Sequence, residues 1–145
     1  MNSNFKNALL YSLKLLSRRD YSEKEICRKL AVKFPDAETE EVIKNLKENR
    51  YLSDYRVAYN YALSKMEKGW GKRKIKFYLF KKGVDEETVD TALNSIEFDY
   101  SFIKKELEKR FDKPKEKKER EKIERFLSQR GFSYLEIFNL ISDKI

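Results

Sequence analysis

The 145-residue sequence predicts an all-α protein, three tandem three-helix repeats forming an elongated molecule. Apolar residues recur at i, i+3, i+4 along nearly the whole chain, the spacing that lines one face of a helix. The long alternating runs expected of strands are missing. Chain breakers fall between the periodic segments, and the pattern repeats itself at a nearly constant interval of about 48 residues.

In chain order the helical stripes are Leu9, Leu10, Leu13, Leu16; Ile26, Leu30, Phe34; Val42, Ile43, Leu46; Ala58, Tyr61, Ala62; Ile75, Leu79; Val89, Ala92, Leu93; Ile103, Leu107; Ile123, Phe126, Leu127; and Ile137, Leu140, Ile141. Ser22, Ser53 and Ser133 each stand just before a stripe. Ser22 with Glu25, and Ser133 with Glu136, have capping-box spacing. Gly83 and Gly131 follow stripes, where a helix end needs a left-handed residue. Ile75, Leu79, Gly83, Val84, Val89 and Leu93 map onto Ile123, Leu127, Gly131, Phe132, Ile137 and Ile141 at an offset of 48. Ile26 and Leu30 map onto Ile75 and Leu79 at 49, and Val42 and Leu46 onto Val89 and Leu93 at 47, so the first repeat carries a small insertion around Pro35. The predicted boundaries are 1–50, 51–97 and 98–145. A unit this small has a thin core and leans on its neighbours. The charged segment from Phe111 to Glu121, interrupted by Pro114, is expected to be a flexible joint or to start the second helix of the third repeat.

Composition excludes several kinds of chemistry. The chain contains no histidine and one cysteine. That removes His-based acid–base catalysis and His-containing zinc sites, and it leaves no partner for an intramolecular disulfide. Cys27 lies inside an apolar-periodic segment and reads as a small buried hydrophobe, with a redox or nucleophilic role as the alternative. Glu38, Glu40 and Glu41, and Asp85, Glu86 and Glu87, lie near helix N-termini, where the helix dipole favours negative charge. Gly69-Trp70-Gly71-Lys72 lacks the spacing of a phosphate loop, and no strand precedes it. No catalytic residue, cofactor or metal is therefore expected. No apolar run of membrane-spanning length occurs and the N-terminus is not signal-like, so a cytoplasmic protein is expected.

The formal net charge is +8. Residues 65–82 carry eight basic groups against Glu67, a net of +7, whereas residues 1–64 net +3 and residues 83–145 net −2. A focused excess of this kind attracts a polyanion better than the same charge spread out. On a helix over this segment, Ile75, Tyr78 and Leu79 share the core stripe. Phe77 and Phe80 point the other way, among Arg73, Lys76 and Lys81. Two readings stay open for them: packing against a neighbouring repeat, or a hydrophobic and basic contact surface that Trp70 extends from an exposed turn.

These residues also carry a family resemblance. Asp54-x-Arg56-x-Ala58-x-x-Tyr61, then Lys68-Gly69-x-Gly71, Ile75, Leu79 and Lys82-Gly83-Val84, resembles the central signature of RecX regulatory proteins. Leu46 to Leu52 with Asn49 and Tyr51, the opening Ala8-Leu9 to Tyr21-Ser22, and Arg125-Phe126-Leu127 to Ile137 are similar to the family as well. Two places depart from it: Lys33-Phe34-Pro35 stands where the family often has Lys-Gly, and Glu97 to Lys118 matches weakly. The resemblance implies a curved, non-catalytic modulator that binds filaments of the RecA recombinase. It would lie in the filament groove and inhibit strand exchange and the linked ATPase and coprotease activities of recombination, DNA repair and the SOS response. The alternative is a direct single- or double-stranded DNA-binding module. A monomer is expected, without a membrane partner. The expected contacts to RecA or DNA are Arg56, Lys68, Trp70, Arg73, Lys76, Phe77 and Lys81, with Lys118, Arg125 and Arg130 as a second patch.

Overall fold

The computed structural model describes residues 3–111 and 116–142. Among these residues there are nine helices and no strand: α1 (Ser3–Leu16), α2 (Glu23–Lys33), α3 (Thr39–Glu48), α4 (Asp54–Glu67), α5 (Lys72–Lys81), α6 (Glu86–Asn94), α7 (Ser101–Arg110), α8 (Lys117–Gln129) and α9 (Tyr134–Ile141). Each apolar stripe read from the sequence falls on one of them, except that Phe34 of the second stripe stands just past the end of α2. None is long and apolar enough to cross a membrane.

The helix ends follow from local chemistry. Both capping boxes form: the Ser22 hydroxyl accepts from the Glu25 amide and the Glu25 carboxylate from the Ser22 amide, and Ser133 and Glu136 do the same. Four helices end in one motif, with a residue at positive φ just past the last turn. These residues are Arg50 (φ 61°), Gly69 (83°), Gly83 (88°) and Gly131 (95°). The following amides reach back to the last turn, Tyr51 to Leu46, Trp70 to Lys65, Val84 to Leu79 and Phe132 to Leu127, at 2.9–3.1 Å. This geometry satisfies carbonyls that a helix end would leave bare. The end of α2 differs, because Phe34 (φ −132°) takes the C-cap position ahead of Pro35.

The chain forms two compact units. The first runs as far as Ala58 and adds Leu79–Ala92; the second comprises Tyr59–Tyr78 and the chain from Leu93 onward. The cuts fall inside α4, α5 and α6, so the period of the sequence and the compact units partition the chain differently.

In the first unit, α1, α2 and α3 pack on one another. They bury Ala8, Ile26, Leu30, Val42, Ile43 and Leu46, with Tyr21 and Leu52 closing the core. Ser12 is fully buried in α1, and its hydroxyl donates to the Ala8 carbonyl at 2.8 Å. A buried mid-helix hydroxyl needs such a partner. Cys27 is partly buried, and burial pushes its thiol pKa up, which disfavours the reactive thiolate. In the second unit Ile103, Ile123, Leu127, Phe132, Ile137 and Leu140 form the core. Phe111 caps α7 and packs on this core, its ring centroid 5.8 Å from that of Phe126. Residues 117–121 of the expected joint are the start of α8, the second of the two readings. Pro114 lies outside the described residues.

Tyr78 is a correction to the sequence reading. It remains 37% exposed, whereas Ile75 and Leu79 are fully buried. At 100° per residue Tyr78 lies at the edge of the Ile75–Leu79 stripe, and its ring turns to Trp70 instead.

Candidate partner-binding surface

The surface begins with the turn between α4 and α5. Gly69 lets the chain reverse, and Trp70 is held by its amide bond to Lys65. Trp70 is half-buried, and so does not project freely as the sequence reading expected. Its ring stands 5.2 Å from Tyr78 and 6.4 Å from Tyr61, and Tyr78 in turn stands 5.3 Å from Phe77. The Lys74 and Lys65 ammonium groups lie 4.2 and 4.7 Å from the indole centroid. The result is a row of four aromatic rings edged by cations, with Phe77 52% exposed at one end. An ammonium over an aromatic face is worth about 0.5–1 kcal/mol at an exposed site. Burial and the neighbouring Tyr78 raise the Tyr61 pKa, so its phenol stays neutral. Nothing in this arrangement makes or breaks bonds; it offers flat apolar faces with positive charge beside them.

Of the ten residues singled out in the sequence, Trp70 and Phe77 are joined here through Tyr78; Arg73 and Lys76 stand on the same helix, Arg73 lining a groove with α8 and α9 residues, and Lys68 is exposed on the preceding turn. Lys81 is exposed on the last turn of α5, in the first unit. Arg56, also in the first unit, is committed to the fold. Its guanidinium donates to the Arg50 and Tyr51 carbonyls at 3.1 and 2.9 Å, bracing the left-handed turn after α3.

The second patch changes its membership. Lys118 and Arg125 are exposed on α8, seven residues apart and hence on the same side. Arg130 turns inward. It makes a bidentate pair with Glu106, both distances 2.6 Å, and donates to the Lys68 carbonyl at 3.2 Å. The Arg130 guanidinium beside Glu106 holds that carboxyl below its ordinary range. Arg130 therefore fixes the Gly69 turn that carries Trp70, and is not available for a partner. Sequence reasoning missed this role, although Arg130 precedes Gly131 as Lys82 precedes Gly83. It also missed Arg120, exposed one turn before Glu124.

The described helices make a helical-repeat protein that presents aromatic rings and cations on its surface. Comparison with known proteins names the family. Residues 8–46 match the first three-helix domain of RecX and residues 53–93 match the second. The regulatory protein RecX of Pectobacterium atrosepticum is 34% identical, over 93% of this chain and 96% of its own length. That of Mannheimia succiniciproducens is 36% identical, over 86% of each. The crystal structure of RecX from Lactobacillus salivarius superposes with a TM-score of 0.83 at 23% identity, covering 99% of this chain and 97% of that one, which speaks for the fold. The chain belongs to the RecX family of regulatory proteins.

Proposed function

We propose that this protein binds filaments of the RecA recombinase in the cytoplasm and restrains their activity in recombination and DNA repair. Membership of a regulatory family supports a protein partner. The observation that carries the contact assignment is the row Tyr61, Trp70, Tyr78 and Phe77 with Lys65 and Lys74 beside it. Such a surface suits a partner with apolar patches among acidic groups, because aromatic anchors give affinity and charge gives orientation. Arg73, Lys76 and Lys68 add charge to this surface in the second unit, Lys118 and Arg125 supply further charge there, and Lys81 is a separate expected contact on the first unit.

The test is RecA-driven strand exchange and ATPase activity with the protein titrated in. The double variant Arg73→Glu, Lys76→Glu, checked for an unchanged helical spectrum, is expected to need about tenfold more protein for the same inhibition. Unchanged inhibition overturns the contact assignment, and no inhibition by the unaltered protein overturns the RecA reading. A second reading, direct DNA binding with bases stacked on Trp70, is favoured by the two ammonium groups at the indole. It requires tight retention of single-stranded DNA without RecA, falling steeply with salt.

A further inference from the structure

The second unit holds a groove of about 550 Å³ along α8 and α9, which the aromatic row of α5 does not include. Its floor is Phe132, Ile137 and Ile141. Tyr134 and Phe138, one helical turn apart on α9, form a wall and are 86% and 51% exposed. Leaving two large aromatic side chains this open on one short helix is costly unless something covers them. The rim is cationic: Arg73, Arg120 and Arg125 line it against Glu124 as the one carboxylate.

We propose that this groove is a peptide-binding site, taking a protein segment in which a large apolar side chain is flanked by aspartate or glutamate. Charge complementarity selects the flanks, since arginine forks match carboxylates bidentately. The floor selects the anchor. Its three side chains, Phe132, Ile137 and Ile141, carry no polar group, so a base seated there would lose the partners of its polar edges, whereas a leucine or phenylalanine has none to lose. The groove shares Arg73 and Arg125 with the charge assigned to the RecA contact, but its floor and wall, Phe132, Tyr134, Ile137, Phe138 and Ile141, belong to neither the aromatic row nor that assignment, so the Tyr134→Ser arm of the test is independent of whether the other partner is RecA.

The experiment uses the full chain, immobilised and panned against a random dodecapeptide library on phage. The best peptide is then made with a fluorescent label and titrated by anisotropy. Enrichment of peptides with an aromatic or aliphatic anchor beside two or more acidic residues is expected. Tyr134→Ser and Arg125→Glu each change an exposed side chain and leave the core intact, and each is expected to weaken the labelled peptide about tenfold or more. A consensus without acidic residues, no consensus, or equal binding by both variants overturns the proposal. So does displacement of the peptide by oligothymidylate at lower concentration than by unlabelled peptide, which would make the groove a nucleic-acid site.

Discussion

The start of α2 and the start of α5 occupy equivalent places in the repeat, Ser22 corresponding to Gly71, and each meets the end of a later helix. They are built from different materials. In the first unit side chains make the joint. The buried Ser22 hydroxyl accepts from the Glu25 amide and donates to the Lys82 carbonyl at the end of α5. The Glu23 amide donates to Asp54 at 2.8 Å, and Lys82 lies 3.8 Å from Glu25. In the second unit the main chain makes it. The Gly71 amide donates to the Arg130 carbonyl at 2.7 Å and the Arg73 amide to the Gly131 carbonyl at 3.1 Å. The carbonyl end of α8 thus faces the amide end of α5, opposite ends of two helix dipoles. A Cβ on Gly71 would lie 2.5 Å from the Gly131 carbonyl, and one on Gly131 would lie 2.4 Å from the Lys74 nitrogen. Side chains make the direct contact at one joint, main-chain amides and carbonyls at the other.

The sharpest break of that contrast is a pair of alanines. Gly131→Ala combines a positive φ with a clash against backbone and is expected to cost about 3 kcal/mol or more. Gly83→Ala shares the positive φ but meets the Lys24 side chain, and is expected to cost about 1–2 kcal/mol. Thermal or urea melts check the order; equal losses would mean that the main-chain contact is not what distinguishes the joints. Ser22→Ala removes a bond to the part-buried Lys82 carbonyl and one from the Glu25 amide at the other joint, and is expected to cost about 1–2 kcal/mol by the same melts.

Acid titration separates Glu106 in the second unit from Asp54 in the first by sign. Glu106 has a folded pKa lowered by the hydrogen bonds from Arg130. Its stabilisation is present above the ordinary carboxylate value, about 4.3, and is lost as pH falls through the lowered one. Glu106→Gln is expected to cost about 1–2 kcal/mol at pH 7, and this deficit shrinks on acidification. Asp54 has a folded pKa raised, first by burial. Its contribution is present in acid and lost as pH rises through the raised value. Asp54→Asn keeps an acceptor for the Glu23 amide and is expected to match or slightly exceed the parent at pH 7. Melts from pH 3 to 7 that showed the same trend in both variants would refute the assignment.

The smallest effect concerns the left-handed turns. Arg50 is the one non-glycine residue at positive φ among those described. Arg50→Gly removes that strain and is expected to add up to about 1 kcal/mol, read as a higher melting temperature.

What the sequence made legible was local. Ser22 and Glu25 are three residues apart, and Gly83 and Gly131 follow their stripes, so short-range chemistry fixes caps and ends. The Arg130–Glu106 pair spans 24 residues, and only the fold decides that Arg130 turns inward. Likewise Tyr134 and Phe138 share α9 with the buried Ile137 and Leu140, and helical spacing alone does not tell an open apolar face from a covered one. The cationic aromatic segment was visible as composition; the row of rings that Trp70 builds with Tyr61 and Tyr78 was not, because Tyr61 and Tyr78 both read as core residues.

The amide bonds at the start of α5 also give the second unit an internal clock. First-turn amides of a helix ordinarily face water and trade their hydrogen for deuterium within moments. Those of Gly71 and Arg73 are sealed by carbonyls from the end of α8, so deuterium enters there only when that seal opens, and its rate of entry times the parting of α5 from α8.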